Sequence, residues 1–249
     1  MNNLSILLGI LFMSIFTGTA PRLNDSPDIG LVAYYSFNDC DAFDDGKQRS
    51  PGKIFGSGTC RCGVEGNGLQ LNGTTDYIEF SGPVNDYFTT SDFTISLYFK
   101  PLGKSIFKQS LLSKRTMCTE ENLLDVVLDQ QNNTIQTQFI QEEFIAFGDL
   151  SAKLKSGDWH HFALVRKGSR AYTYVNGKLM NESRRCSGVD IANETPLGIG
   201  NSPCVGEGMH RFKGIIDELR VYDNGLTHQQ IMDIYSRTKI EDAEKGCVS

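Results

Sequence analysis

The chain has 249 residues and a formal net charge of −6, with 24 basic and 30 acidic side chains interleaved along it. This balance argues against a nucleic acid or an anionic membrane surface as partner, since either would call for a basic stripe. Hydrophobic residues at 39% and aromatic residues at 10% suffice for a packed core and are too many for a disordered chain.

Residues 1–20 read MNNLSILLGILFMSIFTGTA. Leu4 to Phe16 is an apolar run of thirteen residues, shorter than the ~20 that a spanning helix needs. Small residues follow, from Thr17 to Ala20. The pattern predicts a secretory signal peptide over 1–20 and no membrane span. Residues 21–30 are polar and proline-marked and read as a linker. The predicted domain covers 31–238, with a tail at 239–249.

LVAYYSF (Leu31–Phe37) is the first predicted strand, β-branched, aromatic and alternating. Residues 38–68 are rich in glycine and read as turns. GLQLNG and DYIEF then form two strands around a glycine turn. In DFTISLYFKP, Phe93, Ile95, Leu97 and Phe99 alternate with Thr94, Ser96 and Tyr98, the period of a half-buried strand. SLLSKR, NLLDVVLD and TIQTQFI continue the pattern, followed by WHHFALVRK and AYTYVNGKLM, then PLGIG and FKGIIDELRVYD. Short strands at this spacing, with Gly, Asn or Asp between them, predict an all-β antiparallel sandwich. Asn176-Gly177 inside VNGK predicts a hairpin, because a type I′ turn needs positive φ at both central residues. One helix is expected, at 226–238. Thr227 is its N-cap and Gln230 its N3, a capping box, and Leu226 with Ile231 forms a hydrophobic staple.

The seven cysteines are Cys40, Cys60, Cys62, Cys118, Cys186, Cys204 and Cys247. Cys60-Arg61-Cys62 has a spacer too short for the usual start of a zinc site, and export permits disulfides. Cys186 with Cys204 is the first expected pair, and Cys40 with Cys60 or Cys62 the second. The odd number leaves at least one thiol free or joined to another chain.

Taken in order, LVAYYSF, GNGLQLNGTTDYIEF, DFTISLYFKP, DWHHFALVRKGSRAYTYVNGKL, PLGIGNS and FKGIIDELRVYDNGLTHQQIMDIY resemble the laminin G-like, concanavalin A-like jelly roll in its pentraxin-related branch. The resemblance spans Leu31 to Tyr235. It implies two antiparallel sheets of six or seven strands each, an extracellular role in glycan or protein binding or adhesion, and in many members a calcium ion. The same fold also carries glycoside hydrolases, so fold alone does not decide function.

His160-His161 is the first candidate site. Alternation along a strand sends Trp159, His161, Ala163 and Val165 to one face and His160, Phe162, Leu164 and Arg166 to the other. The two imidazoles therefore diverge and cannot readily grip one metal. The acidic loop NDCDAFDDG is the second. Asn38, Asp39, Asp41, Asp44 and Asp45 supply side-chain oxygens of the kind calcium takes, although the EF-hand spacing fails. Asp217 or Glu218 could reach this loop if the first and last strands are neighbours, and together these seven residues form the candidate calcium set. Asn72, Thr74, Thr75 and Asp76 form a further cluster, read mainly as a capped turn; the resemblance to pentraxin-like relatives implies a ligand-bridging calcium near it, with Glu120, Glu121, Glu142, Glu143 or Asp149 as donors from a later acidic loop.

A glycosidase needs two carboxylates held about 5–10 Å apart. The Glu-x-Asp-x-x-Glu strand pattern of such enzymes is absent, and alternation puts Asp217 and Glu218 on opposite faces. Nucleophile-elbow, phosphate-loop and zinc-protease motifs are absent. The expected function is a secreted, non-catalytic recognition module for a glycan or an extracellular protein, with a carbohydrate-active hydrolase or a structural matrix protein as the alternatives.

Overall fold

The computed structural model describes residues 28–47, 49–142, 145–148, 152–155, 157–184, 186–245 and 247. The expected signal peptide, most of the linker, Glu143 and Asp149 lie outside the described residues. Two sheets are stacked. The first runs β14 (Lys178–Ser183), β13 (Arg170–Val175), β12 (His160–Lys167), β6 (Phe93–Pro101), β17 (Lys213–Tyr222), β4 (Asn67–Asn72) and β3 (Thr59–Cys62), with β1 (Leu31–Tyr35) also on β17. The second runs β10 (Ile145–Gly148), β9 (Thr134–Glu142), β8 (Leu123–Asp129), β7 (Lys108–Lys114), β15 (Leu197–Ile199), β5 (Tyr77–Phe80) and β2 (Gly52–Phe55). β11 (Ala152–Lys153) joins β9, and β16 (Met209–Arg211) lies parallel to β7. Sheets of eight and nine strands exceed the six or seven that the resemblance implied. β2, β3, β10, β11 and β16 are short pieces that no periodic run announces.

Alternate residues fill the space between the sheets. Phe93, Ile95, Leu97 and Phe99 of β6 meet Phe162 and Leu164 of β12 and, from the other sheet, Leu124, Val126, Ile135 and Phe139. Each such side chain contributes about 1.5–3 kcal/mol by leaving water. The outer face of the first sheet is covered in turn. Ala163, Val165, Tyr174 and Tyr222 point outward and receive Leu226, Ile231 and Ile234 of α1 (His228–Arg237) and its approach. The capping box at Thr227 and Gln230 is present. Asn176 and Gly177 have φ of 49° and 71°, as a type I′ hairpin requires.

β17 organises the first sheet. Its first half pairs with β4 and its second half with β1, so the first and last long strands are neighbours. A bulge separates the halves, with Glu218 at φ 52°.

Three disulfides are present: Cys40–Cys60, Cys62–Cys247 and Cys118–Cys204. The expected Cys186–Cys204 bond is not formed. Cys186 is fully buried in the inter-sheet core, whereas Cys204 sits in the loop that meets Cys118 beyond the end of β7. Nearness in sequence misled here, because core and loop face different ways. Part of the tail packs on the sandwich: Ile240 and Ala243 lie against Val64, Tyr98, Trp159 and Ile215. Peptide mapping without reduction is expected to return the three pairs. Alkylation should label no thiol in the native protein and one, Cys186, after unfolding, since burial raises its thiol pKa. A Cys186–Cys204 peptide would contradict the assignment.

Candidate functional site

The acidic loop is built around one carboxylate. Asp44 is fully buried, and its two oxygens accept five backbone N–H groups, from Tyr34, Gly46, Lys47, Arg49 and Ser50, at 3.0–3.3 Å. Asp45 accepts the N–H and hydroxyl of Ser36, and Asp41 caps the N–H of Phe43. Asn38 reaches away from the loop: its Oδ1 accepts the N–H of Asn67 at 2.9 Å. Asp217 arrives at the same β3–β4 turn from the other side and accepts the N–H groups of Val64 and Glu65 at 2.7 and 3.2 Å. The turn is tight on both sides. A Cβ on Gly63 would lie 2.2 Å from Asp217, and one on Gly66 2.1 Å from Asn38.

The expected opposition of Asp217 and Glu218 is corrected by the bulge. The extra residue lets both carboxylates serve the outer side of β17. Glu218 accepts the Tyr34 hydroxyl at 2.6 Å and pairs with Arg220 at 2.5 Å. The Arg220 guanidinium lies 4.3 Å over the Tyr34 ring. Burial, with Glu218 alongside, pushes Asp217 well above the usual carboxylate range, against the pull of its N–H donors.

These contacts decide how well the loop suits calcium. A calcium ion is surrounded by oxygen ligands, whereas Asn38, Asp44 and Asp217 are surrounded by N–H donors and Glu218 by a hydroxyl and a guanidinium. That donor set does not fit the ion at these four residues. Asp39, Asp41 and Asp45 are the exposed carboxylates of the set. Among the described residues, no three His, Cys, Asp or Glu side chains gather as metal ligands. Asn72 and Asp76 are likewise turn-builders: Asn72 Oδ1 accepts the N–H groups of Thr74, Thr75 and Asp76.

The histidines diverge as alternation requires. His160 packs on Phe99 inside the sandwich, with Nε2 2.6 Å from the Lys155 carbonyl. His161 faces outward beneath α1, with Nε2 2.9 Å from Ser96 Oγ, and its ring contacts Tyr98 and Tyr235. Burial, with Arg220 nearby, pushes the His161 pKa down to about 3, so the ring is neutral in the folded protein.

An open cleft of about 410 Å³ lies at the start of β12, lined by Trp159, His160, Asn176, Lys100, Glu241 and Glu244 among others. The tail forms one wall of it. Glu244 Oε1 accepts Trp159 Nε1 at 3.1 Å and Lys100 Nζ at 2.6 Å, and Cys247 anchors the end to β3. The rim presents a carboxylate, an ammonium and an amide, groups that hydrogen-bond hydroxyl-rich ligands. Sequence reading missed this wall because the tail shows no periodicity.

The family described as the Concanavalin A-like lectin/glucanases superfamily matches residues 72–232. No curated protein matches the sequence. Among solved structures, the fold is shared with domain 4 of AbnA, a GH43 extracellular arabinanase from Geobacillus stearothermophilus, in complex with arabinotriose; the identity is 21% and the TM-score 0.64, over 82% of this chain and 98% of that one. It is also shared with the binding domain of botulinum neurotoxin DC in complex with SialylT, at 9% identity and TM-score 0.69 over 86% of this chain and 53% of that one. The binding domain of Paraclostridial Mosquitocidal Protein 1 matches at 16% identity and TM-score 0.68, over 85% and 53%. This chain spans about half the length of those two binding domains. Likeness at such identities shows the fold alone.

Proposed function

From the concanavalin A-like lectin/glucanases superfamily, to which this chain belongs, we propose that it is an extracellular, non-catalytic recognition module for a glycan or an extracellular protein. One observation carries the non-catalytic part. The carboxylates that the fold gathers are committed to structure: Asp44, Asp125, Asp217 and Glu218 are each at most 2% exposed and hydrogen-bonded to protein donors. A general acid or nucleophile must touch its substrate, and these cannot. Three disulfides support an oxidising compartment. Among the described residues, no helix is long and apolar enough to cross a membrane. The relatives that share the fold include domains solved with arabinotriose and with SialylT, which supports a glycan as the first ligand class to test.

The purified chain is expected to bind a subset of a glycan array. Calcium enters the proposal only through the exposed Asp39, Asp41 and Asp45, so the array is run with calcium and with chelator. Silence in both conditions removes the lectin half of the reading. Release of reducing ends from a polysaccharide panel would instead favour a hydrolase.

A further inference from the structure

We propose that a row of cations and aromatic rings on the outward face of the second sheet binds an anionic glycan, one that carries sulfate or uronate groups; this inference rests on the recognition reading above. In β2, Ile54 packs against the core, so Lys53 and Phe55 on either side of it point outward. In β5, Ile78 and Phe80 are inside, which turns Tyr77 outward beside them. The Phe55 and Tyr77 rings stack with centroids 4.4 Å apart and planes within 3°. Lys53 Nζ lies 4.7 Å over the free face of Phe55, and the Arg211 guanidinium 5.1 Å over Tyr77. The row ends at Lys108, at the head of β7, whose register partner on β16 is Met209, two residues before Arg211.

The charges in this row are not closed into ion pairs. Among the described residues, none of the ion pairs involves Lys53, Lys108 or Arg211. Arg211 donates to the Thr74 carbonyl and Lys108 to the Gln136 amide, both neutral, with the Asp129 carboxylate within Coulombic reach of Lys108. Glu79 is opposite Lys53 in register and still forms no pair with it.

The rings explain how the charges are held. Cation–π contact fixes the long stems before any ligand arrives, which lowers the ordering cost of binding. Guanidinium and ammonium donors in fixed positions suit sulfate and carboxylate oxygens. Adjacent strands stand about 4.8 Å apart, so the row is a flat, rigid array rather than a flexible basic tail of the kind that lies on lipid. A stiff anionic polymer is the matching partner.

The test is titration calorimetry of the full chain with dextran sulfate, polygalacturonate and neutral dextran, at low and high salt. Both anionic polymers are expected to bind and to weaken with salt, and dextran to stay silent. Lys53→Glu with Arg211→Glu should lower affinity about tenfold or more, and the milder Lys53→Gln with Arg211→Gln should shift it the same way. Lys178→Glu with Lys239→Glu makes the same charge change at exposed sites elsewhere and should stay within about twofold. Melting curves confirm that each pair folds. Equal losses in the row and control variants overturn the site. Binding to phosphatidylserine vesicles and to neither anionic polymer also overturns it. Neutral glycans bound on the array, with no anionic polymer bound, overturn the anionic class and leave the recognition reading standing, whereas silence towards every glycan takes the lectin reading down as well.

Discussion

Asp44→Ala is expected to destabilise the fold by about 3–5 kcal/mol, read as a loss of denaturation midpoint and a melting temperature lower by about 10 °C or more. Removing the carboxylate leaves five N–H groups without their acceptor, and one of them, on Ser50, is buried. The loop also carries Cys40, whose bond to Cys60 fixes β3, so slackness at Asp44 reaches the edge of the first sheet. Asp45→Ala is the control. Its carboxylate is exposed and holds only Ser36, so about 1 kcal/mol or less is expected. Because N–H groups rather than an ion organise Asp44, chelator should leave the wild-type transition unchanged. If Asp44→Ala behaved like Asp45→Ala, or if chelator reproduced the Asp44→Ala loss, this account of the loop would be wrong.

The second large effect is a stability loss on acidification through His161. Its folded pKa of about 3 lies below the ordinary 6.5, so the unfolded chain binds the proton first. Stability from this group is fully present above the unfolded value and is lost as pH falls from 6.5 towards 3. Linkage gives about 2 kcal/mol between pH 7 and pH 5 for this ring alone. Asp217 acts with the opposite sign: its raised folded pKa means that its contribution fades as pH rises through the range above 4. Denaturation across pH 5–7 in His161→Gln, which can still bond Ser96, isolates the first term. The variant should show a flatter slope than wild type; an unchanged slope would place the protonated group elsewhere.

Periodicity and turn chemistry carried much of the fold in advance. Phe93 to Phe99, Phe162 to Leu164 and the Asn176-Gly177 turn each state a local rule that the packing obeys. Thr227 and Gln230 do the same for the helix. The short strands β2, β3 and β16 were hidden because they are edge pieces fixed by partners far away in sequence. Cysteine pairing failed for a similar reason, since Cys118 and Cys204 are 86 residues apart and only the folded loops bring them together. The bulge at Glu218 was equally hidden. A single residue with φ 52° changes which way a carboxylate points, and nothing in IDEL marks it. The acidic loop stood out in the sequence, but composition could not tell oxygens turned on a cation from oxygens turned on N–H groups. The basic row escaped notice because its members come from four separate segments and the net charge has the other sign.

The bond between Cys62 and Cys247 closes a ring over 185 residues of sequence. In the chain-entropy view, a loop of that length restrains the unfolded state by about 5 kcal/mol. It also changes what a protease can accomplish. A single nick anywhere between the two cysteines opens the ring but releases no fragment, because both pieces stay tied at β3. Exposed loops are where such cuts fall, and every loop from β4 to the helix lies inside the ring. The chain can therefore be cut once inside the ring and keep both sheets together.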